Sequence, residues 1–177
     1  MIRPRPLFEE EPTPIGVRLL PAIMVMAGSL FTILPFVATL PILPPIGLLM
    51  LFGWRLQRPD ALRVWAPLPL GMFDDLLSGQ PFGSAILLWT LCFLVIELID
   101  SRLVWRDFWQ DWLIAAGGIA FCLIAGRFVA SPLTAHVDTV LLLQIIVSAL
   151  LFPVAARLCA WINGRRDKPR LGPGIQP

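Results

Sequence analysis

The charges of this chain are confined to its two ends and to short internal stretches, and long apolar runs lie between them. Of the 177 residues, 57% are hydrophobic and only 15% are charged, with a mean hydropathy of +0.78. A soluble domain is nearer half apolar and a quarter charged. Because about 20 apolar residues span the hydrocarbon of a bilayer, the pattern predicts an all-α, polytopic integral membrane protein: a bundle of about six transmembrane helices.

Six apolar stretches supply these helices, at residues 19–39, 46–56, 64–77, 84–99, 113–129 and 139–162. The second and third are short, which implies either mismatch with the bilayer or burial within the bundle. If both are re-entrant, four true spans remain and the two ends of the chain keep the same side. The domain organisation predicted is a cytoplasmic N-terminal tail at 1–18, a transmembrane bundle at 19–163 and a basic, disordered cytoplasmic tail at 164–177.

The basic residues give the orientation of the bundle. With six spans and the N-terminus inside, every one of the 14 Lys and Arg residues except Arg127 lies on the cytoplasmic side. Cytoplasmic loops of membrane proteins carry such an excess. The sequence therefore predicts a multi-pass protein with both termini in the cytoplasm. The basic tail is expected to contact the lipid bilayer, and a net charge of +2 gives no reason to expect nucleic acid as a partner.

Polar groups inside the apolar runs are the candidate functional residues, because a carboxylate at the centre of a membrane helix costs about 2.5–3.5 kcal/mol. Asp74 and Asp75 either cap or hydrate a turn at the outer end of the third span, or form a docking or ligand loop. Arg127 lies at a similar depth in the fifth span, so we expect an ion pair between Arg127 and one of them, with Asp75 the first candidate. Glu97, near the inner end of the fourth span, is interpreted as a snorkelled or paired carboxylate.

The sequence offers no catalytic constellation. Its three cysteines lie in apolar runs and it has one histidine, so we expect no metal site, no cofactor and no enzymatic activity. Adjacent carboxylates on a helix point about 100° apart and do not form an acid/base pair on one face. Gly118, Cys122 and Gly126 form a row of small residues, which allows close helix approach within the bundle or with a partner.

The stretch 71–83, GMFDDLLSGQPFG, runs directly into the apolar stretch 84–95. It resembles the core motif of the rod shape-determining protein MreD family: a glycine, an acidic residue followed by Leu-Leu-Ser-Gly, a proline and a glycine, and then a hydrophobic helix. The chain length, the number of spans and the basic tail are similar as well. Asp75 matches the acidic position of the family, because Leu-Leu-Ser-Gly follows it directly. Many relatives have a hydrophobic residue where this chain has Asp74.

The resemblance implies a bacterial inner-membrane protein whose fold is similar to the S components of energy-coupling transporters. It implies a non-catalytic scaffold of the cell-elongation complex, which maintains rod shape and lateral peptidoglycan synthesis. The partners expected are an MreC-like bitopic membrane protein and, directly or indirectly, the RodA/penicillin-binding synthase complex and the MreB filament. The partner-binding residues expected from the motif and the small-residue faces are Asp74, Asp75, Gly79, Gly83, Gly118 and Gly126.

Two other functions compete with the scaffold. A substrate-binding membrane subunit of a vitamin-type transporter needs several polar groups in one outward pocket. The chain offers few of them: Asp74, Asp75, Gln80, Arg127 and Gln144. An ion-coupled carrier usually shows an internal repeat, and we find no convincing repeat in this sequence.

Overall fold

A computed structural model of the chain describes residues 15–33, 43–79, 81–102, 107–130 and 138–164. Within these ranges the fold is all-helical, as predicted, and its 3₁₀ turns Phe31–Ile33 and Pro59–Ala61 follow the first two α-helices. The predicted tails at 1–14 and 165–177 and the end of the first predicted span, 34–39, lie outside the described residues. The α-helices are α1 (Ile15–Leu30), α2 (Ile46–Gln57), α3 (Pro67–Ser78), α4 (Ser84–Asp100), α5 (Phe108–Ala130) and α6 (Asp138–Gly164).

Two helices begin earlier than the apolar runs that predicted them. Helix α1 starts at Ile15, inside the predicted tail, and α5 starts at Phe108, inside the predicted charged connector. At the start of α5 the backbone N–H of Asp107 donates to Oε1 of Gln110 (3.4 Å), a reciprocal contact typical of helix N-termini. Hydropathy marks where a helix meets hydrocarbon, whereas its first turn depends on capping residues. The Asp-x-x-Gln spacing is the signal that the sequence analysis missed.

Helix α2 is the central element of the bundle. It packs against α1, α5 and α6, and nearly all of its residues from Gly47 to Leu56 are buried. Its 12 residues extend about 18 Å, well short of a hydrocarbon core of about 30 Å. Of the two explanations offered for this short apolar run, the structure shows burial within the bundle.

Small residues let α2 approach its neighbours closely. A Cβ added to Gly28 of α1 would lie 3.0 Å from the Cα of Gly47, and a Cβ on Gly53 would lie 3.1 Å from Sγ of Cys159 in α6. Such contacts are the means by which helices pack where apolar burial gives little selectivity.

Hydrogen bonds between the ends of the helices set their directions. Near the start of α2, Nε2 of Gln144 in α6 donates to the carbonyl of Leu43 (2.8 Å), and just beyond the end of α2, Nη1 of Arg58 donates to Oδ1 of Asn163 (3.0 Å). Helices α2 and α6 therefore run parallel. Arg55 at the end of α2 also meets α4 near its end, so the last turns of α2, α4 and α6 share one end of the bundle.

The outward faces of the helices are apolar. Examples are Leu98 on α4 (62% exposed) and Leu150 and Val154 on α6 (66% and 59%). Two helical segments, Phe108–Val129 and Thr139–Gly164, are long and apolar enough to cross a membrane, and only 22% of the apolar window in each is buried. A core helix of a soluble protein buries such a face, whereas a face in lipid leaves it exposed. The two helices indicate a membrane protein.

Candidate functional site at the two ends of the bundle

The carboxylate of Asp75 lies against the first turn of α4. Its Oδ2 accepts hydrogen bonds from the backbone N–H groups of Gly83 (2.9 Å) and Ile86 (3.3 Å). Its Oδ1 accepts from the N–H of Ala85 (2.8 Å) and from Oγ of Ser84 (3.0 Å). Asp75 therefore caps α4 from the preceding helix, which is the capping alternative of the sequence analysis.

This cap explains how a charged side chain is buried here. Asp75 is only 4% exposed, and burial of an unpaired carboxylate would be strongly unfavourable. The start of a helix offers unpaired N–H groups and the positive end of the helix dipole. The N-cap residue of α4 is Gly83, which has no side chain to supply that cap. Asp75 supplies it instead.

The glycines of the same stretch make the cap geometrically possible. Gly79 and Gly83 have φ of +66° and +99°, a region that favours glycine, and they reverse the chain between α3 and α4. Gly71 faces the first turn of α4, where an added Cβ would lie 2.8 Å from the backbone N and Cα of Ile86. We refer to residues 71–86 as the Asp75 turn. The expected partner-binding residues Gly79 and Gly83 therefore have a conformational role within it.

The close approach at Gly71 gives a test. We expect Gly71→Ala to destabilise the protein by about 1–3 kcal/mol, because the new methyl group meets backbone atoms that cannot rotate away. The matched control is Gly117→Ala in α5, where an added Cβ meets none of the described atoms within 4 Å and alanine favours the helix. Thermal unfolding in a non-ionic detergent measures both, and an unchanged midpoint for Gly71→Ala would contradict the close packing of α3 on α4.

Asp74 lies apart from the cap. It is half-buried and faces Ser29 of α1, whose buried Oγ closes no hydrogen bond among the described residues. That hydroxyl lies so close to α2 that a Cβ on Gly47 would be 2.3 Å from it. Asp74 thus lies at the junction of α1, α2 and α3, and its role differs from that of Asp75.

The other residues proposed around Asp75 have mixed outcomes. Arg127 lies half-buried in the last turn of α5, and its ion pair with Asp75 stays a prediction, since the cap already supplies that carboxylate with donors. Gln80 lies outside the described residues. Gln144, a candidate pocket residue, donates to the Leu43 carbonyl.

The row of small residues on α5 faces the interior of the bundle. A Cβ on Gly118 would lie 2.8 Å from the ring of Phe52 in α2. Cys122 is buried with its Sγ 3.4 Å from Sγ of Cys92 in α4, and Gly126 is buried too. The geometry favours contact within the bundle for this row, one of the two alternatives that the sequence left open. The partner role assigned to Gly118 and Gly126 stays a prediction.

The opposite end of the bundle holds a second charged group, which we call the Arg55 cluster (Arg55, Glu97 and Asp100). Nη2 of Arg55 contacts Oε2 of Glu97 and lies 3.1 Å from Oδ2 of Asp100. The guanidinium is 5.8 Å from the ring centroid of Phe93, within the range of a cation–π contact. The Arg55 side chain is only 3% exposed, so these contacts hold a buried cation.

The sequence analysis recovered this cluster in part. The interpretation of Glu97 as a paired carboxylate is confirmed. Arg55 was assigned only as a cytoplasmic charge, and Asp100 as the start of a connector. The spacing of Glu97 and Asp100, three apart and so on one face of α4, is the signal that would have predicted a basic partner on a neighbouring helix.

Comparisons of the chain with models of known protein families, with curated proteins and with solved structures find no match. Among the described residues there is also no group of three or more His, Cys, Asp or Glu side chains that could hold a metal ion. The geometry therefore defines two structural sites in a helical membrane protein, the Asp75 turn and the Arg55 cluster.

Proposed function

We propose that this chain is an MreD-type scaffold of the bacterial inner membrane, with six spans and both ends in the cytoplasm. The observation that carries the proposal is the Asp75 turn. The residues that resemble the MreD motif form one compact unit, in which Gly71 permits the approach of two helices, Asp75 caps the second and Gly83 leaves room for that cap. A motif kept for partner docking needs such a rigid support.

In this proposal Asp75 shapes the docking surface and does not touch the partner. The side chains available for contact are Leu76 and Phe82, which are 66% and 68% exposed at the turn. A partner helix in lipid is selected by close packing and a few polar groups, because lipid tails are as apolar as leucine. The proposed partner is an MreC-like bitopic protein, with the synthase complex and the MreB filament engaged directly or through it.

The geometry gives less support to a vitamin-binding subunit. Such a site needs several polar side chains free to face one ligand. Asp75 and Gln144, two of the five candidates, are engaged with backbone groups of the chain itself. The scaffold therefore accounts better for the same residues.

Co-purification of the tagged protein from its native membrane in mild detergent, with mass spectrometry of bound proteins and small molecules, tests the proposal. We expect an MreC-like protein and the peptidoglycan synthase, and their loss from the double variant Leu76→Ala/Phe82→Ala, which leaves the cap intact. The control is Leu98→Ala, an equally exposed leucine at the other end of α4, which is expected to retain the partners. Recovery of ATPase subunits or a bound vitamin without elongation proteins would overturn the scaffold.

A further inference from the structure

A cavity of about 580 Å³ opens beside the Arg55 cluster, between the end of α2, the 3₁₀ turn Pro59–Ala61 and the end of α4. Its volume is within the range of about 300–1,000 Å³ typical of small-molecule sites. The charged side chains that line it are Arg55, Asp60, Arg63, Glu97 and Asp100. A site of this size with charges of both signs is unexpected for a helix contact alone.

The negative charges of the cavity favour a cation. Three carboxylates face two guanidinium groups, and the C-terminal ends of α2 and α4 add the negative ends of two helix dipoles. Glu97 remains accessible, since its side chain is 53% exposed while it holds Arg55. An ionised carboxylate accepts several hydrogen bonds, so Glu97 can bind a further donor such as an ammonium group.

The arginines of the same cavity require an anionic oxygen. Nη1 of Arg55 is buried and has no hydrogen-bond partner among the described residues, although buried donors are nearly always paired. Arg63 lies exposed at the rim. A ligand that satisfies both halves of the cavity carries a cation and an anionic oxygen a few atoms apart.

The position of the cavity indicates the source of such a ligand. In the topology proposed above it lies at the cytoplasmic interface of the membrane. Trp65, adjacent in sequence to the lining residue Val64, is 58% exposed, and tryptophan at that depth is typical of the headgroup region.

We propose that this cavity binds the zwitterionic headgroup of a phospholipid that carries a primary ammonium. The phosphate lies toward Arg55 and Arg63, and the ammonium lies toward Glu97 and Asp60. The proposal rests on the membrane topology of the proposed function but not on its protein partners. An anionic headgroup satisfies the arginines and leaves the excess carboxylates repelling it.

Lipid titration of the delipidated, purified full-length protein by native mass spectrometry tests this assignment. The probes are phosphatidylethanolamine, phosphatidylcholine and phosphatidylglycerol with identical acyl chains, in a non-ionic detergent. We expect phosphatidylethanolamine to bind at least about ten-fold more tightly than the other two, because its ammonium adds a charge-assisted hydrogen bond. Glu97→Gln should abolish this preference, whereas Asp107→Asn, a carboxylate outside the cavity, should preserve it.

Three results would overturn the proposal. Tighter binding of phosphatidylglycerol, strengthened further by Glu97→Gln, would reveal an arginine site for anions. A lower unfolding midpoint of Glu97→Gln with unchanged lipid preference would limit the cluster to a tie between helices. Binding of soluble glycerophosphoethanolamine as tight as that of the lipid would assign the site to a free phosphoester. Because the purified chain is used alone, failure here is distinct from failure to recover elongation proteins.

Discussion

Neutralising both acids of the Arg55 cluster, in the double variant Glu97→Gln/Asp100→Asn, is expected to cause the largest loss of stability in this protein. The change keeps the shape of both side chains and leaves Arg55, which is 3% exposed, without a counter-charge. Removal of the partner of a buried charge costs about 3–5 kcal/mol. The expected effect on thermal unfolding in detergent is a decrease of about 6–20 °C in the midpoint.

The triple variant Arg55→Met/Glu97→Gln/Asp100→Asn is the matched control for this effect. With the buried cation replaced by an apolar side chain of similar length, most of the lost stability should return, because a buried ion pair is often no more stable than apolar residues in its place. A triple variant as unstable as the double variant would contradict the view that uncompensated charge is the cause. An unchanged midpoint for the double variant would show that Arg55 is solvated.

Removal of the cap by Asp75→Ala is the second large effect. The variant leaves the N–H groups of Gly83, Ala85 and Ile86 without the carboxylate that accepts from them. Loss of a helix cap costs about 0.5–2 kcal/mol and loss of a hydrogen bond to a charged group about 1.5–3 kcal/mol. We therefore expect a destabilisation of about 2–3 kcal/mol.

Two variants separate the cap from a general effect of charge. Asp75→Asn keeps one oxygen acceptor and should lose only part of the stability. Asp74→Ala removes the neighbouring carboxylate, which does not cap α4, and should cost less than Asp75→Ala. Hydrogen–deuterium exchange would locate the effect in the first turn of α4, and equal destabilisation by Asp74→Ala and Asp75→Ala would contradict the assignment.

The sequence predicted the elements of this fold better than their contacts. Apolar runs predicted all six helices that the structure describes, because a chain in lipid satisfies its backbone hydrogen bonds within each helix. Helix starts such as Phe108 depend on local capping, which hydropathy does not report. The central position of α2 could be inferred only as one of two explanations for its short length.

The candidate sites show the same division. Asp75 was recognised from its motif, and capping was one of its two interpretations. That its oxygens reach α4 depends on the approach of two helices at Gly71, which the spacing of residues does not give. Arg55 appeared in the sequence as an ordinary cytoplasmic charge, since its burial depends on Phe93, Glu97 and Asp100 of another helix.

The topology of the bundle is the claim on which the scaffold and the lipid site both rest. Single cysteines at Ser101, between α4 and α5, and at Ser131, between α5 and α6, can be labelled with a membrane-impermeant thiol reagent before and after the membrane is opened. The native cysteines Cys92, Cys122 and Cys159 are buried, and the unmodified chain gives the background. We predict labelling of Ser131→Cys from outside and of Ser101→Cys only from the cytoplasmic side. External labelling of Ser101→Cys, or equal labelling of both, would contradict the proposed topology.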